Sequence, residues 1–184
     1  MRVPAALFVA VALFGCKQAP QQEAAFVPPP PTPPAQHAAA CVRKPEKEAF
    51  AVANLKSLLM VTAKTCQAEE NYNAFITRYR TDLVRDEGTL RAYFGRAYGR
   101  RGQTEQDNFI TELANAQSSH RVKYGQFYCP TNLGMFEEVM KLPNATELPN
   151  YAAGKPIQQA LAIQDCPDTP PPSAKPAPAK KKAK

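Results

Sequence analysis

The chain has 184 residues, 19 of them proline, and a formal net charge of +7. The prolines concentrate in residues 17–40, which hold seven, and in 167–184, which hold six with a local charge of +4. Residues 41–166 carry 16 bases against 14 acids, so the folded part is near neutral, which argues against a dedicated nucleic-acid-binding domain and leaves room for one core.

At the start of the chain, Arg2 supplies a positive region and Val3 to Gly15 an uncharged apolar run. That run is too short to cross a bilayer as a helix and has the length of an export signal. It ends in Leu13-Phe14-Gly15-Cys16. This stretch resembles the lipobox of bacterial lipoproteins. The resemblance implies a signal peptide over residues 1–15 and a diacylglycerol on the Cys16 thiol. It also implies cleavage just before Cys16, and, by resemblance to lipoproteins of double-membrane bacteria, Lys17 rather than Asp in the next position then favours the outer membrane in a host with two membranes. The other reading is an ordinary cleaved signal, for which the nearest small-x-small site is Ala38-Ala39-Ala40.

Residues 16–40 form a proline-rich linker. The stretch from Pro28 to Pro34 reads as a stiff polyproline II rod, and at about 3.1 Å per residue the linker reaches at most roughly 75 Å from the membrane. The tail over 167–184 is rich in lysine, proline and alanine and has no large apolar residue to dock. Both ends are expected to be disordered because they bury too little to offset chain entropy. The lysine tail is either a weak ligand for anionic surfaces or a solubilising extension.

Four cysteines remain: Cys41, Cys66, Cys129 and Cys166. None is closely spaced with another cysteine or a histidine, which disfavours zinc ribbons, haem attachment and redox motifs; no metal or cofactor is predicted. An even number in an exported chain reads as two disulfides. Pro45 to Cys66 reads as one helix about 30 Å long, which holds Cys41 and Cys66 too far apart to bond. The preferred pairs are Cys66–Cys129 and Cys41–Cys166.

Periodicity over 41–166 is helical almost throughout. The first helix opens at Pro45-Glu46 and repeats Ala51, Leu55, Leu58, Leu59 and Thr62. A second, short helix follows Glu69-Glu70-Asn71 with Phe75, Ile76 and Tyr79. A third carries Leu83, Leu90, Phe94 and Ala97 and stops at Gly99 and Gly102. A fourth starts at a capping-box variant, Thr104 with Asp107, and runs through Phe109, Leu113, Ala116 and His120 towards Cys129. The last carries Leu133, Phe136, Val139 and Met140 and ends at Pro143. The fold class predicted is all-α, a disulfide-stapled bundle of about five helices.

Chemistry is harder to find. Of two histidines, His37 lies in the linker and His120 near the end of the fourth helix; His120 reads as a surface or core-edge residue. There is no nucleophile elbow, zinc-binding or phosphate-loop motif. Adjacent carboxylates such as Asp86-Glu87 point apart on a helix and read as solvated faces. One constellation stands out. Residues 78–101 hold Arg78, Arg80, Arg85, Arg91, Arg96, Arg100 and Arg101, interleaved with Tyr79, Tyr93, Phe94 and Tyr98. Arg91, Arg96, Arg100 and Arg101 with Tyr93 and Tyr98 form a candidate surface for anions or a partner. In the alternative, these arginines pair with the acidic fourth helix inside the bundle.

The stretches Leu55 to Thr62, Ala92 to Gly99 and Phe136 to Met140 resemble small exported bacterial proteins. The resemblance carries over no catalytic residue. The reading of the whole is a non-enzymatic, lipid-anchored periplasmic protein. Its partners would be the membrane, through the lipid, and peptidoglycan, lipopolysaccharide or an envelope protein. A secreted or periplasmic enzyme or enzyme inhibitor is the alternative.

Overall fold

The computed structural model describes residues 36–167. The expected signal peptide, Cys16, most of the linker and the basic tail lie outside the described residues. The fold is an all-α bundle closed by two disulfides.

Helix α1 (Lys44–Cys66) is the central element, packing against four other helices. Pro45 presets the first turn, and the Glu46 carboxylate accepts the Arg43 N–H at 2.7 Å, a carboxylate at a positive helix end. The helix closes with Gln67 in the left-handed conformation, and the Ala68 N–H returns to the Ala63 carbonyl at 3.0 Å.

Helix α2 (Glu69–Tyr98) is one continuous element of 30 residues, about 45 Å long, where the sequence reading placed two. The apolar stride passes unbroken from Phe75 through Tyr79 and Leu83 to Leu90, Tyr93 and Phe94, all buried. The polar residues between Tyr79 and Leu83 lie on the outer turn, where Arg85 reaches back to Asp82 at 2.7 Å. They interrupt hydrophobicity without interrupting the backbone ladder.

A tight turn leads from α2 into α3 (Gly102–Tyr124). Gly99 takes φ +58°, which side-chain-bearing residues rarely adopt. Gly102 lies so close to α2 that a Cβ there would fall 2.9 Å from the Gly95 Cα and the Phe94 carbonyl oxygen. The expected Thr104 cap does not form. The turn runs directly into the helix, so Thr104 already lies inside it, and Asp107 instead accepts from Gln103 at 2.9 Å. At its other end α3 stops at Tyr124 rather than continuing to Cys129. A short turn precedes α4 (Tyr128–Asn132), leaving Phe127 exposed and Tyr128 fully buried.

Helix α5 (Gly134–Lys141) matches the last predicted element, with Met135, Phe136 and Val139 inward. A further short helix, α6 (Leu148–Ala153), was not predicted. Six residues are too few to hold a helix by propensity, and Leu148, fully buried against the core, supplies the packing that does.

Two apolar clusters sit at opposite ends of the α1–α2 pair. One joins Leu55, Leu59, Phe75, Tyr79, Tyr128, Phe136 and Leu148. In it Tyr79 donates to the Val139 carbonyl at 2.5 Å, and Tyr128 bonds Thr62 at 3.1 Å, so both buried hydroxyls are satisfied. The other centres on Phe50, whose ring meets Tyr93 and Phe109 edge-on at 5.0 and 5.2 Å.

The two ends of the domain are zipped together. Strand β1 (Gln36–His37) pairs in parallel with β2 (Leu161–Ala162), and Val42 bridges Asp165. This places His37, assigned to the linker from sequence, in backbone pairing with the domain. The Val42 and Cys166 amides close the seam at 2.8 and 2.9 Å. Cys41 and Cys166 are bonded within it, their Cα atoms 4.8 Å apart, and Cys66 bonds Cys129 at the C-terminal end of α1.

Candidate functional site

The structure divides the predicted arginine and tyrosine surface. Tyr93 is fully buried and donates its hydroxyl to the Ala40 carbonyl at 2.9 Å. Arg96 lies beneath the N-terminal segment: its guanidinium donates to the Cys41 carbonyl at 3.0 Å and to Glu46 at 2.7 Å, and packs over the Tyr93 ring. These two residues therefore clamp residues 40–46 onto α2: Tyr93 is not available as a contact, and Arg96, still exposed, is committed to the Cys41 carbonyl and Glu46. Tyr98 is half-buried and stacked on Phe94 at 5.9 Å. Arg91, Arg100 and Arg101 remain exposed.

The arginines do not pair with α3 in the way the alternative reading required. Arg85 binds Asp82 and Asp86 of its own helix, Arg78 donates to the Leu142 carbonyl, and Arg96 goes to α1. Among the described residues Arg101 is the one of these arginines that meets an α3 acid, Glu105, at 3.5 Å with three-quarters of its side chain exposed.

A different place has the form of a binding site. A groove of about 270 Å³ opens between α1, α2 and α3. Val52, Leu83, Leu90 and Leu113 form its walls, and Met60 and Ile110 stand exposed at its mouth. Polar groups from all three helices reach it. Ser57 Oγ and Gln106 Oε1 are both buried and have no hydrogen-bond partner among the described residues. A buried acceptor left unpaired costs about 1–3 kcal/mol. Asp86 lines the groove with its side chain 17 % exposed, and burial, opposed by Arg85, raises its carboxyl above the usual range. Burial, and then the negative charge of Glu87, likewise raise the Tyr72 hydroxyl. Lys56, the one cation in the lining, is already paired with Glu87.

The sequence reading singled out none of these groups as a site. The detectable signal was polarity on an apolar stripe: Gln106 shares the inner face of α3 with Phe109 and Leu113.

The same stripe continues to Gln117 and His120. Gln117 is fully buried and donates to the Gln158 carbonyl at 2.9 Å, while His120 packs against Tyr124 and Tyr128 with ring centroids 4.3 and 6.1 Å away. Burial, then Lys123, lowers the His120 imidazole below its ordinary value. The unfolded chain therefore takes up that proton more readily than the folded one. Stability from this group is complete above the ordinary histidine range and is lost as pH falls through it. Thermal unfolding followed between about pH 7.5 and 5.5 should show a falling midpoint, and His120→Gln should flatten the slope. An equal slope in the variant would assign the pH dependence to other groups.

No helix among the described residues is long and apolar enough to cross a membrane. No protein-family model, curated protein or solved structure matches this chain.

Proposed function

We propose that this chain is an exported, lipid-tethered cell-envelope protein whose helical domain binds a partner or polymer and performs no chemistry on it. Cys16 carries the lipid, and the proline-rich linker holds the domain off the membrane, facing the periplasm from the outer membrane. The observation that carries this reading is the pair of disulfides, which use every cysteine of the domain. Paired cysteines persist in oxidising compartments outside the cytosol. The uncharged apolar run before Cys16 supplies the route out and the attachment point.

The exposed guanidinium groups of Arg91, Arg100 and Arg101 are the contact for carboxylate or phosphate groups on peptidoglycan, lipopolysaccharide or an acidic envelope protein. Tyr93 and Arg96 belong to the scaffold behind it.

The test is Cys16→Ser in the producing cell, read by detergent-phase partition and intact mass. The unaltered chain should enter the detergent phase with a mass that starts at Cys16 and includes acyl chains. The variant should remain aqueous, because each buried CH₂ of an acyl chain contributes about 0.8 kcal/mol to anchoring. Equal partition of the two, or a lipid-free mature chain starting near Cys41, would overturn the tether.

A further inference from the structure

We propose that the groove between α1, α2 and α3 is a binding site for a small cationic amphiphile, a compact apolar body carrying a protonated amine. This goes beyond the tethered-protein reading and holds whether or not Cys16 is acylated.

Size comes first. At about 270 Å³ the groove lies just below the range of pockets that take drug-sized molecules. Its occupant is therefore a short alkyl chain or a single ring. The walls suit such a body, since Val52, Leu83, Leu90 and Leu113 are aliphatic. Met60 and Ile110 at the mouth are exposed and would be covered by it.

The polar groups then select the head. Gln106 is more than nine-tenths buried, lines the groove, and has an Oε1 with no partner among the described residues. Ser57 Oγ is also unpartnered. The Gln106 Oε1 can only accept, whereas the unpartnered Ser57 hydroxyl can both donate and accept. The buried Gln106 Oε1 therefore calls for a hydrogen-bond donor on the occupant, and the Ser57 hydroxyl tolerates one. Charge points the same way. Asp86 and Glu87 are the acids in the lining, and Lys56 is the base. Lys56 is committed to Glu87 and Asp86 is paired through its Oδ1 with Arg85 at 3.2 Å, but Arg85 does not line the groove, so within the lining the acids outnumber the base two to one. An ammonium head, a donor with positive charge, suits both the unpartnered Gln106 Oε1 and the acidic lining. A carboxylate head would leave the Gln106 Oε1 unmet and would face the like charges of Asp86 and Glu87.

The probes are n-hexylammonium, n-hexanol and n-hexanoate, matched in apolar length and different in head group. Each is titrated into the full chain with its disulfides intact, and the methyl resonances of Met60, Leu83, Leu113 and Ile110 are followed. Hexylammonium should shift these methyls saturably and bind at least tenfold more tightly than hexanol, with hexanoate weaker still. Asp86→Asn should remove about tenfold of the hexylammonium affinity and leave hexanol unchanged. Ile110→Arg, at an exposed position that does not threaten folding, should block all three probes. Equal binding of the three head groups, shifts that do not saturate or that fall outside the groove, or full affinity in Ile110→Arg would each overturn the proposal. None of these outcomes bears on membrane attachment, so the two readings fail separately.

Discussion

Replacing Cys66 and Cys129 together with alanine should lower the unfolding midpoint by about 10–15 °C, the loss of roughly 3–4 kcal/mol from a domain of this size. The pair Cys41 and Cys166 should cost less. On loop length alone the order would be the reverse, because Cys41–Cys166 spans 125 residues and Cys66–Cys129 only 63. The logarithm compresses that difference to about half a kcal/mol. What decides the order is where each bond lies. Cys66–Cys129 fixes the end of α1 to α4 beside the larger apolar cluster, so its constraint is released only by global unfolding. Cys41–Cys166 closes a seam of a few backbone hydrogen bonds at the chain ends. Without it that seam can open alone, and local opening limits the loss. Calorimetry of both double variants measures the midpoints. Hydrogen exchange at the Ala38, Val42 and Cys166 amides locates the opening. A larger midpoint drop for the Cys41–Cys166 pair would mean that the seam is part of the cooperative unit.

Arg96→Ala should cost about 2 kcal/mol, whereas alanine at Arg91, Arg100 or Arg101 should stay within about 0.5 kcal/mol of the unaltered chain. The Glu46 side chain is only 9 % exposed and accepts from both the Arg43 N–H and Arg96. Removing the guanidinium leaves a largely buried carboxylate with one remaining donor and the Cys41 carbonyl without its side-chain partner. Loss of one partner from a fully buried pair costs about 3–5 kcal/mol, and Arg96 retains 29 % exposure, so the figure is reduced for solvent screening. Urea unfolding of the four single variants separates the clamp from the surface. Four equal midpoints would place Arg96 back on the solvated face. The comparison also governs how binding is tested: charge reversal at Arg91, Arg100 and Arg101 probes a contact surface, and charge reversal at Arg96 probes folding.

Much of the helical plan was legible because it is written locally. The start of α1 shows in Pro45 and Glu46, and its length in the three- and four-residue recurrence from Ala51 to Thr62; the observed helix begins one residue earlier and ends at Cys66. The same length excludes Cys41–Cys66, and preferring bonds that join inter-helix junctions and the two domain ends leads to Cys66–Cys129 and Cys41–Cys166, the pairs the structure bonds. No break separates Tyr79 from Leu83, because the two keep the four-residue step and no proline intervenes, so the second and third expected helices are one. Helix α6 and the β1–β2 seam left no trace because six-residue and two-residue elements have no measurable period.

The sequence by itself determined the all-α class, the placing of most of the excess positive charge in the C-terminal tail, and the exclusion of a Cys41–Cys66 bond by helix length. Each depends on composition or on spacing along one helix. Only the tertiary structure decided which polar side chains face a partner, which hold the fold, and which line a groove. Arg96 meets an acid 50 residues away, and Tyr93 meets a carbonyl 53 residues away. Ser57, Asp86 and Gln106 come from three different helices to one groove. Periodicity tells which face of a helix is buried. It does not tell what lies opposite that face, and the role of a polar group depends on what lies opposite it.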